Sequence, residues 1–320
     1  MRKNIHNDLF VFEENMPKVK KVKEKIVVEK PMKPMFKWSG GKTREMPFIK
    51  TLLPTTINRV VEPFVGGGAF FFNLNKESII NDNDPEVVNC YQVVKNPELF
   101  PILLSKIEET KLMGLDPKMT KKECRDTSGN LCNLYYESRN YLNSKDPYND
   151  VVKWAYSFIV VRQLCFSGMY RKHKGVFNVP FGWYSGFGTH LTTKHHEFLQ
   201  NVKINSGSFS QCFTDDLTED DFIFLDPPYL NRAGYNDISG TISTKLHEEL
   251  FDCVSKTKAK WMIVHCDNPF YREYYKDYNI LNPNYLFLLL NYYLLHYLNF
   301  HVYYQSPILL YSIRKYHALL

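Results

Sequence analysis

Short apolar runs that stop at a glycine, a proline or a carboxylate recur from Met35 onward, and this pattern predicts an α/β chain. Arg59-Val60-Val61-Glu62-Pro63-Phe64 runs into glycines, as a buried strand followed by a turn would. Ala69 to Leu74 can then begin a helix. Ser78-Ile79-Ile80-Asn81-Asp82 reads as a second strand ending in an acid. Pro85 to Val94 follows as a helix, with Pro85 suited to its first turn. A strand, glycine turn, helix, strand and terminal acid in that order open a nucleotide-binding α/β unit.

The pattern changes between residues 97 and 199, which are richer in Lys, Tyr and polar residues. Helices are expected at Glu98–Leu112, Leu131–Leu142 and Val151–Phe166. Gly168 to Gly188 alternates aromatics with Gly, Asn and basic residues, which suggests a hairpin or a loop. Apolar strands return at Val202-Lys203-Ile204, Phe222-Ile223-Phe224-Leu225 and Trp261-Met262-Ile263-Val264. The organisation expected is therefore a sheet domain made of residues 35–96 and 200–280, with residues 97–199 inserted. Before it, residues 1–34 read as a basic arm, with lysines crowded from Lys18 to Lys33 and Pro17, Pro31 and Pro34 breaking any regular element. That arm is either a solvated tail, the favoured reading, or a segment that tracks a polyanion.

Residues 281–320 form an atypical tail. They contain no Asp or Glu, and only Arg314 and Lys315 are charged. The Leu, Tyr, Asn and Ile bias resembles an AT-rich reading frame that has shifted, and on that reading the sheet loses its last strands. The apolar stretch Leu286 to Phe300 is broken by Asn291, His296 and Asn299, too short and too interrupted for a membrane span.

Composition narrows the picture. Hydrophobic residues at 44% and charged residues at 23% exclude a disordered or collagenous chain. Aromatics at 15% suggest stacking surfaces in addition to core, and a net charge of +6 permits a polyanionic partner without demanding one. The 7 cysteines are scattered with no C-x-x-C pair, which argues against a zinc ribbon and for reduced thiols in a cytoplasmic protein. The charged start MRKNIHNDLF lacks a secretory signal. No metal site is expected, since His195 and His196 are adjacent and would point apart in a strand or loop.

Three motifs carry chemistry. Asp226-Pro227-Pro228-Tyr229 directly follows the strand Phe222–Leu225, where open α/β sheets bind ligands. Prolines fix the backbone and lack N–H groups, so their carbonyls can face a ligand. The Asp226 carboxylate and the Pro227 carbonyl can accept the two hydrogens of an exocyclic amine, and Tyr229 can stack on the base that carries it. Val61-Glu62-Pro63-Phe64-Val65-Gly66-Gly67-Gly68 lets backbone approach a ligand, although Phe71 stands where a dinucleotide fingerprint needs its third glycine. Asp82 ends the next strand, where an acid can hold ribose hydroxyls, with Asp84 a nearby competitor. In Phe36-Lys37-Trp38-Ser39-Gly40-Gly41-Lys42-Thr43 the last three residues look like the end of a phosphate-binding loop, but Phe36 occupies the place of its first glycine, which excludes a Walker-type NTPase.

From about Phe36 to Tyr278 the chain resembles the alpha-group, Dam-like DNA adenine-N6 methyltransferases. F-K-W-S-G-G-K, V-E-P-F-V-G-G-G, N-D-N-D-P, R-K-H-K-G-V-F-N-V-P-F-G and D-P-P-Y stand here in that family's order. The resemblance implies a Rossmann-like methyltransferase sheet with helices on both faces and an inserted, mainly helical target-recognition domain with a hairpin. It implies S-adenosyl-L-methionine as methyl donor and double-stranded DNA as substrate, with the target adenine flipped from the duplex. Trp38, Lys42, Glu62, Phe64, Gly66, Asp82 and Asp226 match cofactor positions. Asp226, Pro227, Pro228 and Tyr229 match the catalytic motif. Arg162, Tyr170, Arg171, Lys172, Asn178 and Pro180 fall in the segment that engages DNA. A cognate restriction endonuclease is the expected partner in one biological setting, and epigenetic marking is the other. GATC is a family-level expectation for the target site.

The chain departs from the family at Val264-His265-Cys266-Asp267-Asn268, where a Ser-Asn-Ser-like stretch is usual, and in the tail after Ile280. Two rivals stay open: amino methylation of RNA or of cytosine N4, and a catalytically impaired remnant that binds DNA or cofactor.

Overall fold

The computed structural model describes residues 31–116, 118–144, 147–230, 244–266, 268–281 and 301–304. The strands, in chain order, are β1 (Arg59–Glu62), β2 (Glu77–Asp82), β3 (Lys172–His173), β4 (Val176–Phe177), β5 (Val202–Ser206), β6 (Phe222–Leu225), β7 (Lys260–His265), β8 (Asn279–Leu281) and β9 (His301–Tyr304). Seven of them form one sheet in the order β5-β2-β1-β6-β7-β9-β8. The first five run parallel, and β9 is antiparallel to both of its neighbours.

Alternation along each strand divides the apolar side chains between two cores. Val60, Ile80, Phe222, Phe224, Met262 and Val264 join one of them. Val61, Ile79, Ile223, Leu225, Trp261 and Ile263 join the other. Strands buried on both sides in this way need helices on both faces, and the helices are there. The first core takes α1 (Met46–Thr51), α2 (Ala69–Leu74), α3 (Pro85–Lys95) and α4 (Leu99–Lys111). It also takes α6 (Leu131–Leu142), which follows α5 (Lys121–Asp126), and α7 (Val151–Leu164). Beyond α8 (Thr193–Leu199), the second core takes α9 (Thr244–Lys256) and α10 (Pro269–Tyr274).

Segment 97–199 shares the first core with the sheet. Its centre is α7, buried on nearly every side from Trp154 to Leu164, as expected of a helix that is apolar all round. Asp150 caps α7 by accepting from the Lys153 N–H at 2.8 Å, and Asn130 caps α6 by accepting from the N–H groups of Cys132 and Asn133. Such caps contribute about 1 kcal/mol each. The Gly168–Gly188 stretch does contain a hairpin, β3 and β4 joined by Lys174 and Gly175. Both loop residues have positive φ, 50° and 78°, which suits a two-residue turn that follows the strand twist.

Two expectations need correction. The sheet does not lose its last strands: β9 inserts between β7 and β8, pairing Met262 with Tyr304 and His265 with His301. Ladder hydrogen bonds come from the main chain, and His301-Val302-Tyr303-Tyr304 is rich in β-branched and aromatic types, so an unusual composition still pairs. The rest of the tail, like the basic arm up to Lys30, lies outside the described residues. Nor are all the thiols reduced: Cys124 of α5 and Cys132 of α6 form a disulfide, with Cα atoms 5.6 Å apart. A Thr120–Glu123 capping box starts α5 and sets Cys124 facing the first turn of α6. The eight-residue spacing matches no sequence motif, so only the fold pairs these residues.

Candidate active site

The chain order of the strands reverses between β1 and β6, and at such a switch point loops part and leave a crevice at the carboxyl edge. The loops after β1, β2 and β6 meet there.

Gly66 in the first loop has φ +45°, and a Cβ on it would lie 2.3 Å from the Trp38 Nε1 atom. Only glycine lets the indole lie this close to the backbone. The Gly66 N–H donates to Asp82 Oδ2 at 2.9 Å, and its carbonyl accepts from the Tyr91 hydroxyl at 3.0 Å. Asp82 Oδ1 accepts from the Asp84 N–H at 2.9 Å. Loss of surrounding water pushes the Asp82 carboxyl up to about 7, against the pull of these N–H groups. Asp84, the competitor for the same role, instead caps α3 by accepting from the Glu86 N–H at 2.8 Å. The missing third glycine is explained too. Phe71 is wholly buried, and the small residue needed beside it is Gly68, where a Cβ would lie 2.2 Å from the Phe71 ring.

Glu62 is buried at the end of β1 and accepts from the Phe71 N–H in the first turn of α2 at 3.1 Å. Burial holds its carboxyl well above the ordinary range, although that N–H opposes the shift. Phe64 is half-buried, its ring 5.3 Å from that of Phe209.

At the end of β6, Asp226 is half-buried and both of its oxygens are engaged. The Lys42 ammonium bonds to Oδ2 and also donates to the Gly40 carbonyl at 2.6 Å. The Tyr229 hydroxyl donates to Oδ1 at 3.0 Å. The fold thus joins the first motif to the last across 184 residues. Pro227 is buried and Pro228 half-buried. Tyr229 is 3% exposed, so in this arrangement its ring is no open platform, and its hydroxyl is spent on Asp226.

Sequence reasoning missed what lies under this turn. Tyr271 of α10 accepts from the Leu230 N–H at 3.1 Å, lies 3.2 Å from His247 Nε2 and stacks on His265 with ring centroids 3.7 Å apart. Burial holds His247 down to about 4, against a hydrogen bond to the Pro228 main chain. Burial, with the charges of His247 and Lys42, holds His265 well below the usual imidazole range. The departure V-H-C-D-N was the one sequence signal pointing here. His195 and His196 sit on α8, in a helix and not in a strand or loop. Their rings bond to the carbonyls of Lys33 at 2.8 Å and Val94 at 2.7 Å.

The residues expected to meet DNA fall into three groups. Arg171, Asn178 and Pro180 are exposed on and beside the hairpin, with Arg171 Nε donating to Asn178 Oδ1 at 2.8 Å. The hairpin tip adds Lys174, exposed and not singled out from sequence. Tyr170 and Lys172 are half-buried and turned inward, onto Asp84 and Glu86. Arg162 is a correction. It is fully buried, and its guanidinium donates to the carbonyls of Lys37, Gly168 and Met169 at 2.9–3.0 Å. Packed against both Trp38 and Tyr170, 5.1 and 4.9 Å from their rings, it offers nothing to a phosphate and buttresses the indole.

The family model of D12 class N6 adenine-specific DNA methyltransferases matches residues 38–287. Type II methyltransferase M1.LlaDCHI of Lactococcus lactis subsp. cremoris is 32% identical over 270 residues, covering 78% of this chain and 86% of that one. Type II methyltransferase M.MjaIII of Methanocaldococcus jannaschii is 32% identical over 277 residues, covering 78% and 90%. The DNA adenine methylase of Haemophilus influenzae is 29% identical over 259 residues, covering 76% and 82%. With a Rossmann-like sheet, a glycine loop against Asp82 and a D-P-P-Y turn at the switch point, the chain belongs to the D12 class of N6 adenine-specific DNA methyltransferases.

Proposed function

We propose that this enzyme uses S-adenosyl-L-methionine to methylate adenine N6 in double-stranded DNA at a specific site. The observation that carries the reading is the joining of Lys42, Asp226 and Tyr229 beside the Gly66–Asp82 loop, at the mouth of the switch-point crevice. The chain's residues fit the donor. Gly66 lets the Trp38 indole close over the loop, where a flat aromatic face can meet the donor, and half-buried Asp82 suits a pair of ribose hydroxyls. Lys42 suits a carboxylate, and Glu62 and Phe64 shape the floor. When bound, S-adenosyl-L-methionine supplies an electrophilic methyl group.

Asp226 and the Pro227 carbonyl do the protein's part. Adenine leaves the duplex because pairing ties up its amino group. The two N6 hydrogens then donate to Asp226 and to the Pro227 carbonyl, so Lys42 and Tyr229 must yield some of their hold on the carboxylate. That exchange frees the Tyr229 ring for the base. Acceptors aimed at both hydrogens favour positive charge developing on N6 during attack. Asp226 need not deprotonate the amine beforehand, since N6 becomes acidic only on methylation; Asp226 is then the first acceptor for the departing proton. Arg171, Lys174, Asn178 and Pro180 form the DNA-facing hairpin of the inserted recognition segment. The Type II names of two relatives support a setting beside a cognate restriction endonuclease, and a DNA substrate fits a place in the cytoplasm with DNA.

The test is transfer of labelled methyl from S-adenosyl-L-methionine to unmethylated duplex DNA, followed by nuclease digestion, with Asp226→Ala as control. Labelled N6-methyladenine, absent with the variant, is expected. Label in cytosine, or label found only when RNA is supplied in place of DNA, would replace the substrate assignment, and no label from a folded protein that binds the donor would leave the remnant reading standing.

A further inference from the structure

The half-buried groups at the root of the hairpin are not used by the reaction just described. Tyr170 donates its hydroxyl to Asp84 Oδ2 and lies 3.2 Å from Glu86 Oε2. Lys172 bonds to Glu86 Oε1 at 2.9 Å and lies 3.9 Å from Asp84 Oδ2. Asp84 in turn donates its N–H to Asp82. On the other side, the Tyr170 ring lies on Trp38 at 5.1 Å between centroids, and Trp38 covers Gly66, whose N–H returns to Asp82. The contacts close a ring: Asp82, Asp84, Tyr170, Trp38, Gly66 and Asp82 again. Every member is either a proposed cofactor contact or directly bonded or stacked on one. The chain runs from Tyr170 directly to Arg171 and the exposed hairpin.

We infer that Tyr170 and Lys172 are positioning residues that latch the DNA-facing hairpin to the cofactor pocket, so that cofactor and DNA each strengthen the binding of the other. The inference rests on the assignment of that pocket to the cofactor and of the hairpin to DNA. Physically, a cofactor that fixes Asp82 and Trp38 also fixes two of the groups that hold Tyr170, Asp84 and Trp38 itself, and the hairpin meets DNA with less freedom left to lose. Reciprocity follows from thermodynamics: DNA tightens the cofactor by the factor by which the cofactor tightens DNA. The inference also changes the role of Lys172. Its ammonium is neutralised inside the protein, so it releases no counterion from DNA.

The experiment measures the dissociation constant of a plasmid-derived duplex with and without saturating S-adenosylhomocysteine, which cannot donate methyl. The wild type is expected to show coupling of about tenfold. Tyr170→Phe keeps the ring on Trp38 and removes only the hydroxyl; coupling should fall below about twofold, with little change for DNA alone. Asp84→Ser breaks the same bond from the other side, since its shorter hydroxyl can still cap the helix but does not reach Tyr170. The double variant should lose no more coupling than either single one. Lys172→Gln should leave the salt slope of DNA binding unchanged. Coupling that survives Tyr170→Phe, wild-type binding of both ligands without coupling, or a slope lowered by about one in Lys172→Gln would each overturn the latch. Failure of the wild type to bind S-adenosylhomocysteine overturns the cofactor assignment itself, a distinct result.

Discussion

Two carboxylates stand at the carboxyl edge of the same sheet and are held in opposite ways. Asp82, at the end of β2, is held by main-chain N–H groups of Gly66 and Asp84. Asp226, at the end of β6, is held by two side chains, the Lys42 ammonium and the Tyr229 hydroxyl. Main-chain donors move only if the loop moves, so Asp82 is a fixed fitting. Side-chain donors can swing away, so Asp226 can trade them for a substrate amine. Under the proposed function, the fixed acid suits the orienting of a donor and the exchangeable acid suits the reacting amine.

The comparison breaks most sharply at Asp226. Asp226→Ala should lower methyl transfer by about a thousandfold or more while sparing much of the DNA affinity, as removal of a transition-state contact does. Single-turnover methylation set beside filter binding reads both, and retained turnover would sink the role. Gly66→Ala attacks the fixed fitting. A Cβ 2.3 Å from Trp38 at a positive φ should cost about 2–4 kcal/mol, read by denaturant unfolding and by weakened cofactor binding. An unchanged midpoint would show that the indole is free to move.

Asp82 sharpens the contrast through pH. Its folded pKa, about 7, stands above its ordinary value of 3.8, so the native state keeps a proton that the unfolded chain has released. Stability should therefore fall as pH rises from about 4 to about 7, and Glu62, also shifted upward, acts in the same direction. Ribose hydroxyls donate best to the ionised form, so cofactor affinity should rise through pH 7 in the wild type. Asp82→Asn should bind about tenfold more weakly with a flat pH profile, by analogy with the loss of one charged hydrogen bond. Calorimetry at several pH values checks this, and a profile as steep in the variant would point to another group. The smallest effect is expected at Arg171. Arg171→Ala should weaken DNA binding several-fold and reduce the salt slope by about one, whereas an unaltered slope would take Arg171 out of the interface.

Much of the proposed site is legible in the sequence. Asp82 closes β2, Asp226 follows β6 and Gly66 lies in the loop after β1, and such strand ends can be read from short continuous apolar runs followed by glycine, acid or proline. What the runs could not reveal was the state of the long side chains. Arg162 lies in a segment of basic and aromatic residues and reads as a DNA contact, yet α7 carries it into the core, where three carbonyls consume it. Tyr170 and Lys172 sit beside exposed Arg171 but turn toward Asp84 and Glu86, more than eighty residues earlier. Tyr271, under the D-P-P-Y turn, matched no motif at all.

The sequence by itself determined the chain order of the five parallel strands and their turns, because short apolar runs and turn residues act over a few neighbours. It also determined the types of group available at each strand end. Only the tertiary structure decided which of these groups face one another. Contacts such as Lys42 with Asp226, Cys124 with Cys132, or β9 between β7 and β8 depend on how the layers pack. Such contacts form between groups with no local signature, since a charge, a thiol or a backbone edge takes its partner from whatever the fold brings within a few ångströms.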